Sequence, residues 1–362
     1  MSSTFAISST KATAPALDAL LTGAALVSLA ATGWLRITGD DRVRWLNGMV
    51  TNSIQALTPG QGCYNFFLNA QGKIQADGTA FALADALLLE TAHPDTLAAL
   101  LDRFIIMDDV ELAILPPEAR AGLLIAGPQA AAALATLGLA PSGAPSPHLT
   151  QASWNGAAVD LIHAHGPLVP RFELWSDPAT LTALAAALTA AGVTSFTPEV
   201  LELLHVLEGT PLYGTDIREK ELPQETAQAR ALHFAKGCYL GQEIVERIRS
   251  RGNVHRTFAG FTLTGDLPAI GTPLTAADAP DKPIGELTSV LHVQLPSGPV
   301  QLALGYIRRE VLERAAVLAY PGGTAISAKL PFEIARTSVT PTHPEVSEPS
   351  TPTLETESIH VR

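Results

Sequence analysis

The chain has 362 residues, 47% of them hydrophobic, enough at the usual ~100–200 residues per domain for two or three cores and too much for one small module. Its 23 basic and 35 acidic residues leave a formal net charge of -12, which disfavours a general nucleic-acid binder, because phosphate contacts need a net basic face. Two cysteines, Cys63 and Cys238, are too few for a disulfide scaffold and fit a reducing, cytoplasmic setting.

Residues 1–24 read as an N-terminal extension. The stretch ALLTGAALVSLAATGWL at 19–35 is uncharged and approaches the ~17–25 residues of a bilayer span. Its two glycines and its Ser and Thr residues argue against a membrane helix, and it runs into LRITGDDRVRWL, a strand followed by a helix. Lys11 is the only early positive charge and Asp18 interrupts the apolar region, so no signal peptide is expected.

Residues 25–117 form a first α+β unit, with β-like FALADALLLE and helical DTLAALLDRF, and end at the break Pro116-Pro117. A second α+β unit spans 118–230. GLLIAGPQAAAALATLG gives it a strand, a Gly-Pro turn and an alanine-rich helix, and PSGAPSP a loop. PATLTALAAALTAAG and PEVLELLHVLEG add two helices, each stopped by a glycine. From about Arg256, short β-favouring runs punctuated by Gly and Pro predict a small barrel or sandwich, so residues 231–336 make a third, mostly β domain. Residues 337–362, rich in Pro, Glu, Ser and Thr, read as a disordered tail.

The densest chemistry is Lys236-Gly237-Cys238-Tyr239-Leu240-Gly241-Gln242-Glu243, where two glycines permit a sharp turn and QEIVERIRSR then begins a helix. A thiol at Cys238, beside Lys236 and helix-end amides, is a candidate for activation; the alternative is a small buried residue next to a solvated lysine. The segment 231–262 is locally basic, with Arg247, Arg251 and Arg256 among its charges, and so suggests an anion nearby.

KGCYLGQE resembles the signature of YgfZ-type folate-binding proteins in the glycine-cleavage T-protein superfamily. ITGDDRVRWLNGMVTNSIQALTPGQGCYNFFLNAQGKIQAD is similar to that superfamily's amino-terminal segment, and LEGTPLYGTDI, ELPQE, PIGELTSV and LALGYIRRE resemble later elements, a coverage of about residues 25–335. The resemblance implies an α+β fold of three domains around a central opening, two ferredoxin-like units and a carboxy-terminal β-barrel, with tetrahydrofolate in the opening. Glu225 stands where the family reads the pterin. A carboxylate can accept the pterin's adjacent N–H donors in bidentate fashion, and Tyr64 would lie against the flat ring. Arg247, Arg251 and Arg256, with Gln242 nearby, become candidate contacts to the folate and its carboxylate tail.

The T-protein carries an Asp-Asp pair where this chain reads Ala76-Asp77, so Asp77 alone remains to orient or deprotonate a folate nitrogen. Cys238, Lys236 and Asp77 are the candidate reactive residues. The resemblance implies a folate-binding accessory protein acting on iron–sulfur client proteins, including tRNA-modifying enzymes; the alternative is a folate-dependent aminomethyltransferase. No P-loop, dinucleotide fingerprint or nucleophile elbow occurs, and neither His163 with His165 nor His233 with Cys238 has zinc-like spacing.

Overall fold

A computed structural model describes residues 10–252, 254–295, 298–314 and 316–334; the tail expected from Thr337 lies outside them. In the first unit five antiparallel strands are ordered Gly62–Leu68, Ile74–Ala82, Leu87–Thr91, Gly33–Thr38 and Glu111–Leu115. Strand alternation divides their side chains between two faces. Leu35, Ile37, Phe67, Ala76, Ala80 and Leu89 pack on the helices Arg42–Met49 and Pro94–Asp102 through Trp45, Leu46, Leu97 and Leu101. The opposite face carries Trp34, Tyr64, Phe66, Asp77, Thr79 and Glu90, matched across strands as Tyr64 with Thr79, Phe66 with Asp77, and Glu90 with both Thr79 and Trp34.

The second unit follows the same plan. Its six strands run in the order Thr194–Phe196, Ala25–Ser28, Ala121–Ala126, Arg171–Ser176, Ala157–Ala164 and His148–Trp154. Leu26, Ile125, Leu161, Phe172 and Leu174 pack on the helices Ala130–Thr136 and Pro178–Ala190. Asp177 starts the longer of these by accepting from the Ala179 and Thr180 amides at 3.0 Å, with Pro178 in the first turn. The free faces of the two sheets meet at Trp34 and Trp175, edge to face with centroids 5.1 Å apart. The third unit is a closed six-stranded barrel, the expected mostly β domain.

Two boundaries differ from expectation. Ala25–Ser28 belongs to the second sheet, parallel to Thr194–Phe196 and antiparallel to Ala121–Ala126. The described residues before it, 10–24, are packed into the fold and do not form an extension: the helix Thr10–Thr22 buries Ala16, Leu17, Leu20 and Leu21 in a core shared with Leu291, Val293, Leu302 and Leu304 of the barrel. The uncharged stretch at 19–35 is thus the end of an amphipathic helix and two short strands, and no described helix is long and apolar enough to cross a membrane.

Residues 210–252 strap the units together. Ile217, Ala231 and Val245 from this segment cover Tyr64, Phe66, Leu68 and Ile74 of the first sheet. The helix Glu199–Glu208 stops at Gly209, whose φ of 66° is the left-handed conformation glycine tolerates.

Candidate functional site

The inward faces of the two sheets carry more polar groups than a core needs. Tyr64 donates its phenol to Asp77 at 2.6 Å, and the Arg230 guanidinium lies 4.1 Å from the Tyr64 ring centroid. Asn52 fixes this arrangement by donating to the carbonyls of Tyr64 and Arg230, at 3.1 and 2.8 Å. Burial raises the Asp77 carboxyl above the usual range, opposed by the Tyr64 hydrogen bond and the charges of His93 and Arg230. It also pushes the Tyr64 phenol well above its ordinary value, helped by the Asp77 charge.

Three cavities share walls around this group. One of about 370 Å³ is lined by Tyr64, Asp77, Glu90, His93 and Tyr213 among others. A second, of about 140 Å³, passes Tyr64, Glu90, His165, Arg171, Glu173 and Arg230 between the sheets. A third, of about 510 Å³, shares His165, Thr210 and Arg230 with the second and opens against Phe258 and Leu330 near the barrel. The two larger volumes are those of a small-molecule cavity. Glu90 is driven well above the ordinary carboxyl range by burial and then by neighbouring Glu173, while Glu173 accepts from the Trp175 indole at 2.9 Å. Burial, with Arg230 and Arg171 adding to it, lowers the His165 imidazole to about 4, so it faces the cavity uncharged near neutrality.

Of the expected site residues, the structure brings only Tyr64 and Asp77 together on the walls of these cavities. Glu225 and Arg256 occupy each other: Arg256 Nε donates to Oε1 at 3.1 Å and Nη2 to Oε2 at 3.2 Å, while the Leu222 amide donates to Oε2 at 2.9 Å. Arg256 also reaches Glu221 at 3.3 Å and lies 4.9 Å from the Tyr306 ring centroid. The acid assigned to the pterin and the cation assigned to the tail therefore form one internal ion pair. Gln242 accepts from the Tyr239 amide at 3.2 Å, a turn contact. Arg247 and Arg251 are exposed on the helix Gln242–Arg251 and line none of these cavities.

The KGCYLGQE segment also serves an architectural purpose. Lys236 donates to the carbonyls of Asn47 and Val50, at 2.7 and 2.6 Å, and to that of Asn52, placing its charge at the C-terminal end of the helix Arg42–Met49. Burial pushes its pKa down to about 8. Cys238 is an exposed free thiol, whereas Cys63 is buried and its pKa is pushed up to about 11 by burial, with the Asn65 hydrogen bond and the Lys236 charge opposing. Lys236 is thus committed to carbonyls and the electrostatic neighbour of Cys63. Gly241 has φ 81°, and a Cβ there would lie 2.5 Å from the Asn69 carbonyl oxygen, so the close approach to the first sheet's turn requires glycine; Gly237 meets no such constraint.

Sequence reasoning missed Arg230, His93, Tyr213, Glu90, Glu173 and Glu208. Three had a signal: an acid within or just after an apolar run, in LLLET, RFELWS and LEGTP, which burial forces to find a partner. Arg230, in the single 3-10 turn Ala229–Ala231, had none. Among the described residues no three His, Cys, Asp or Glu side chains converge as metal ligands.

Comparison with known proteins adds a second line of observation. The GCVT N-terminal domain matches residues 4–236, so the similarity begins before residue 25, where the sequence reading placed it. A putative chloroplastic transferase of Arabidopsis thaliana is 26% identical over 305 residues, 82% of this chain and 68% of that protein. The tRNA-modifying protein YgfZ of Yersinia pseudotuberculosis is 31% identical over 263 residues, 69% of this chain and 74% of the relative. The glycine cleavage system aminomethyltransferase T of Bartonella henselae superposes with a TM-score of 0.74 over 86% of both chains at 21% identity, a likeness of fold.

Proposed function

The chain belongs to the GCVT and YgfZ-like family, and from that membership we propose a tetrahydrofolate-binding accessory protein for assembly or repair of iron–sulfur proteins, including those that modify tRNA. The observation that carries the ligand half is the Tyr64–Asp77–Arg230 group on the shared walls of the cavities. The residues fit a reduced folate: Tyr64 and Arg230 offer flat faces, Asp77 a carboxyl for a ring or bridge nitrogen, and His93 and Tyr213 line the same chamber. The accessory half rests on KGCYLGQE and on likeness to proteins named YgfZ.

Calorimetric titration with tetrahydrofolate tests the first half. Asp77→Asn keeps the shape but removes a charged acceptor, and binding is expected to weaken about 10–100-fold. Absence of binding by the wild type would sink the folate reading. For the second half, Cys238→Ala should abolish complementation of a YgfZ-deficient strain while leaving the melting temperature unchanged, because Cys238 is exposed. Full complementation by Cys238→Ala would remove the thiol from the mechanism.

A further inference from the structure

Two carboxyls meet where the free faces of the two sheets come together. Glu90 stands on the strand Leu87–Thr91, opposite Thr79 and Trp34 of the first sheet, and Glu173 on the strand Arg171–Ser176 of the second. Both line the cavity of about 140 Å³, within hydrogen-bonding reach of each other. Glu173 is buried, and its Oε2 accepts from the Trp175 indole at 2.9 Å, which ties the pair to the edge-to-face contact between Trp175 and Trp34. This small cavity shares Tyr64, Thr79 and Glu90 with the cavity of about 370 Å³, and His165, Thr210 and Arg230 with that of about 510 Å³. The carboxyl pair therefore sits in the narrow space between the two larger ones, with one partner on each sheet.

We propose that Glu90 and Glu173 form a proton-linked latch: the Glu90 carboxyl donates its proton to a Glu173 oxygen and holds the sheets together, and loss of that proton sets two carboxylates against each other and widens the space between the larger cavities. Two carboxylates a hydrogen bond apart in a poorly solvated site do not both stay ionised, so one proton is shared. The groups around Glu90 do not undo this. Arg120 and Arg171 oppose the effect of burial and of Glu173, yet Glu90 stays well above the ordinary carboxyl range. Arg120 Nη1 is committed to Asp160 at 2.6 Å, with its guanidinium 4.3 Å from the Trp34 ring centroid, and Arg171 Nη2 is committed to Glu208 at 2.6 Å. On the first sheet Tyr64 and Asp77 hydrogen-bond to each other, with His93 on the wall of the outer cavity. From the second unit His165 is uncharged near neutrality, and from the strap the Arg230 guanidinium lies against the Tyr64 ring. A carboxyl held above its unfolded value contributes stability that is complete below that value and declines as pH rises toward the folded one. The latch is thus closed in mild acid and released toward alkaline pH, whatever ligand the cavities take.

The test follows urea unfolding and tryptophan emission of wild type, Glu90→Gln and Glu173→Gln from about pH 5 to about pH 9. Relative to Glu90→Gln, which keeps an N–H donor and cannot ionise, the wild-type unfolding constant should rise by up to about tenfold per pH unit within the window, the slope of one proton. Wild-type emission should shift to the red over the same window as Trp175 loses its packing, and Glu90→Gln should show no such shift. The His205–Asp216 pair is present in both proteins and cancels in the comparison. If Glu90→Gln does not fold, Glu173→Gln, which removes the like charge, should move the wild-type transition to lower pH. A stability difference between wild type and Glu90→Gln that is the same at every pH would mark a merely structural contact and overturn the latch. So would a transition left in place by Glu173→Gln, or a stability change without any change in emission.

Discussion

Asp216→Ala is expected to destabilise the protein by about 3–5 kcal/mol, the usual cost of removing one partner from a buried charge pair. Asp216 is fully buried where the strap meets the barrel. Its Oδ2 lies 3.1 Å from His205 Nε2 and accepts from the Leu212 amide at 3.0 Å, while Oδ1 accepts from Ser289 at 2.8 Å and from Thr288. His205 is held from its other side by the Thr210 carbonyl at 2.6 Å. One carboxylate thus joins the helix Glu199–Glu208, the loop after it and the barrel strand Ala279–Leu295. Although Ser, His and Asp meet here, Ser289 donates to Asp216 and the group is buried, so it is a clamp and not a nucleophile.

The clamp has a pH signature. Burial opposes charge on both partners, but the mutual hydrogen bond and attraction prevail: His205 is raised above its ordinary 6.5 and Asp216 lowered below its ordinary 3.8. The His205 contribution is complete below its unfolded value and is lost as pH rises through the raised folded value. The Asp216 contribution is complete above its unfolded value and is lost as pH falls through the depressed one. Urea unfolding between about pH 5 and about pH 8 should therefore show wild type losing stability relative to His205→Gln as pH rises. A pH-independent difference would mean that the pair is not charged.

Lys236→Met is expected to cost about 2–4 kcal/mol, read by the same unfolding measurement, because three carbonyls lose a charged donor together. Tetrahydrofolate affinity at permissive temperature should change little, since Lys236 lines none of the three cavities. A large loss of affinity without loss of stability would return Lys236 to the site. The motif's lysine is therefore assigned to joining the first unit to the strap.

Much of the architecture was legible because local chemistry and final structure agree. The Gly-Pro turn of GLLIAGPQA, the glycine after PEVLELLHVLE and the helix at QEIVERIRSR all stand where propensity and capping place them. The strand Ala25–Ser28 was not legible: four apolar residues have no period, and their neighbours come from residues about 100 and 170 positions later. The site was half legible. Tyr64 and Asp77 are joined by strand register, but the pairing of Glu225 with Arg256 depends on a fold between distant segments that no spacing reveals.

Register also changes the weight of Ala76. Adjacent strand positions face opposite ways, and Ala76 is buried against the helices while Asp77 faces the cavity. An acid at position 76 would enter an apolar core and add nothing to the cavity, so Ala76 does not separate an accessory factor from a transferase. The distinction rests on the KGCYLGQE segment and the relatives that share the family.

The placement of the first helix and strand sets a timetable for synthesis. The apolar face of Thr10–Thr22 is finally covered by barrel residues near 291–304, so more than 270 residues separate it from its last partner. At ribosomal rates of about 5–20 residues per second, this face waits on the order of 15–55 s while the first sheet, complete by Leu115, can already close. The nascent chain therefore emerges with a sticky leading end attached to a finished unit. The helix Thr10–Thr22 and the barrel strands meet last, which makes that helix the natural place for a chaperone to hold.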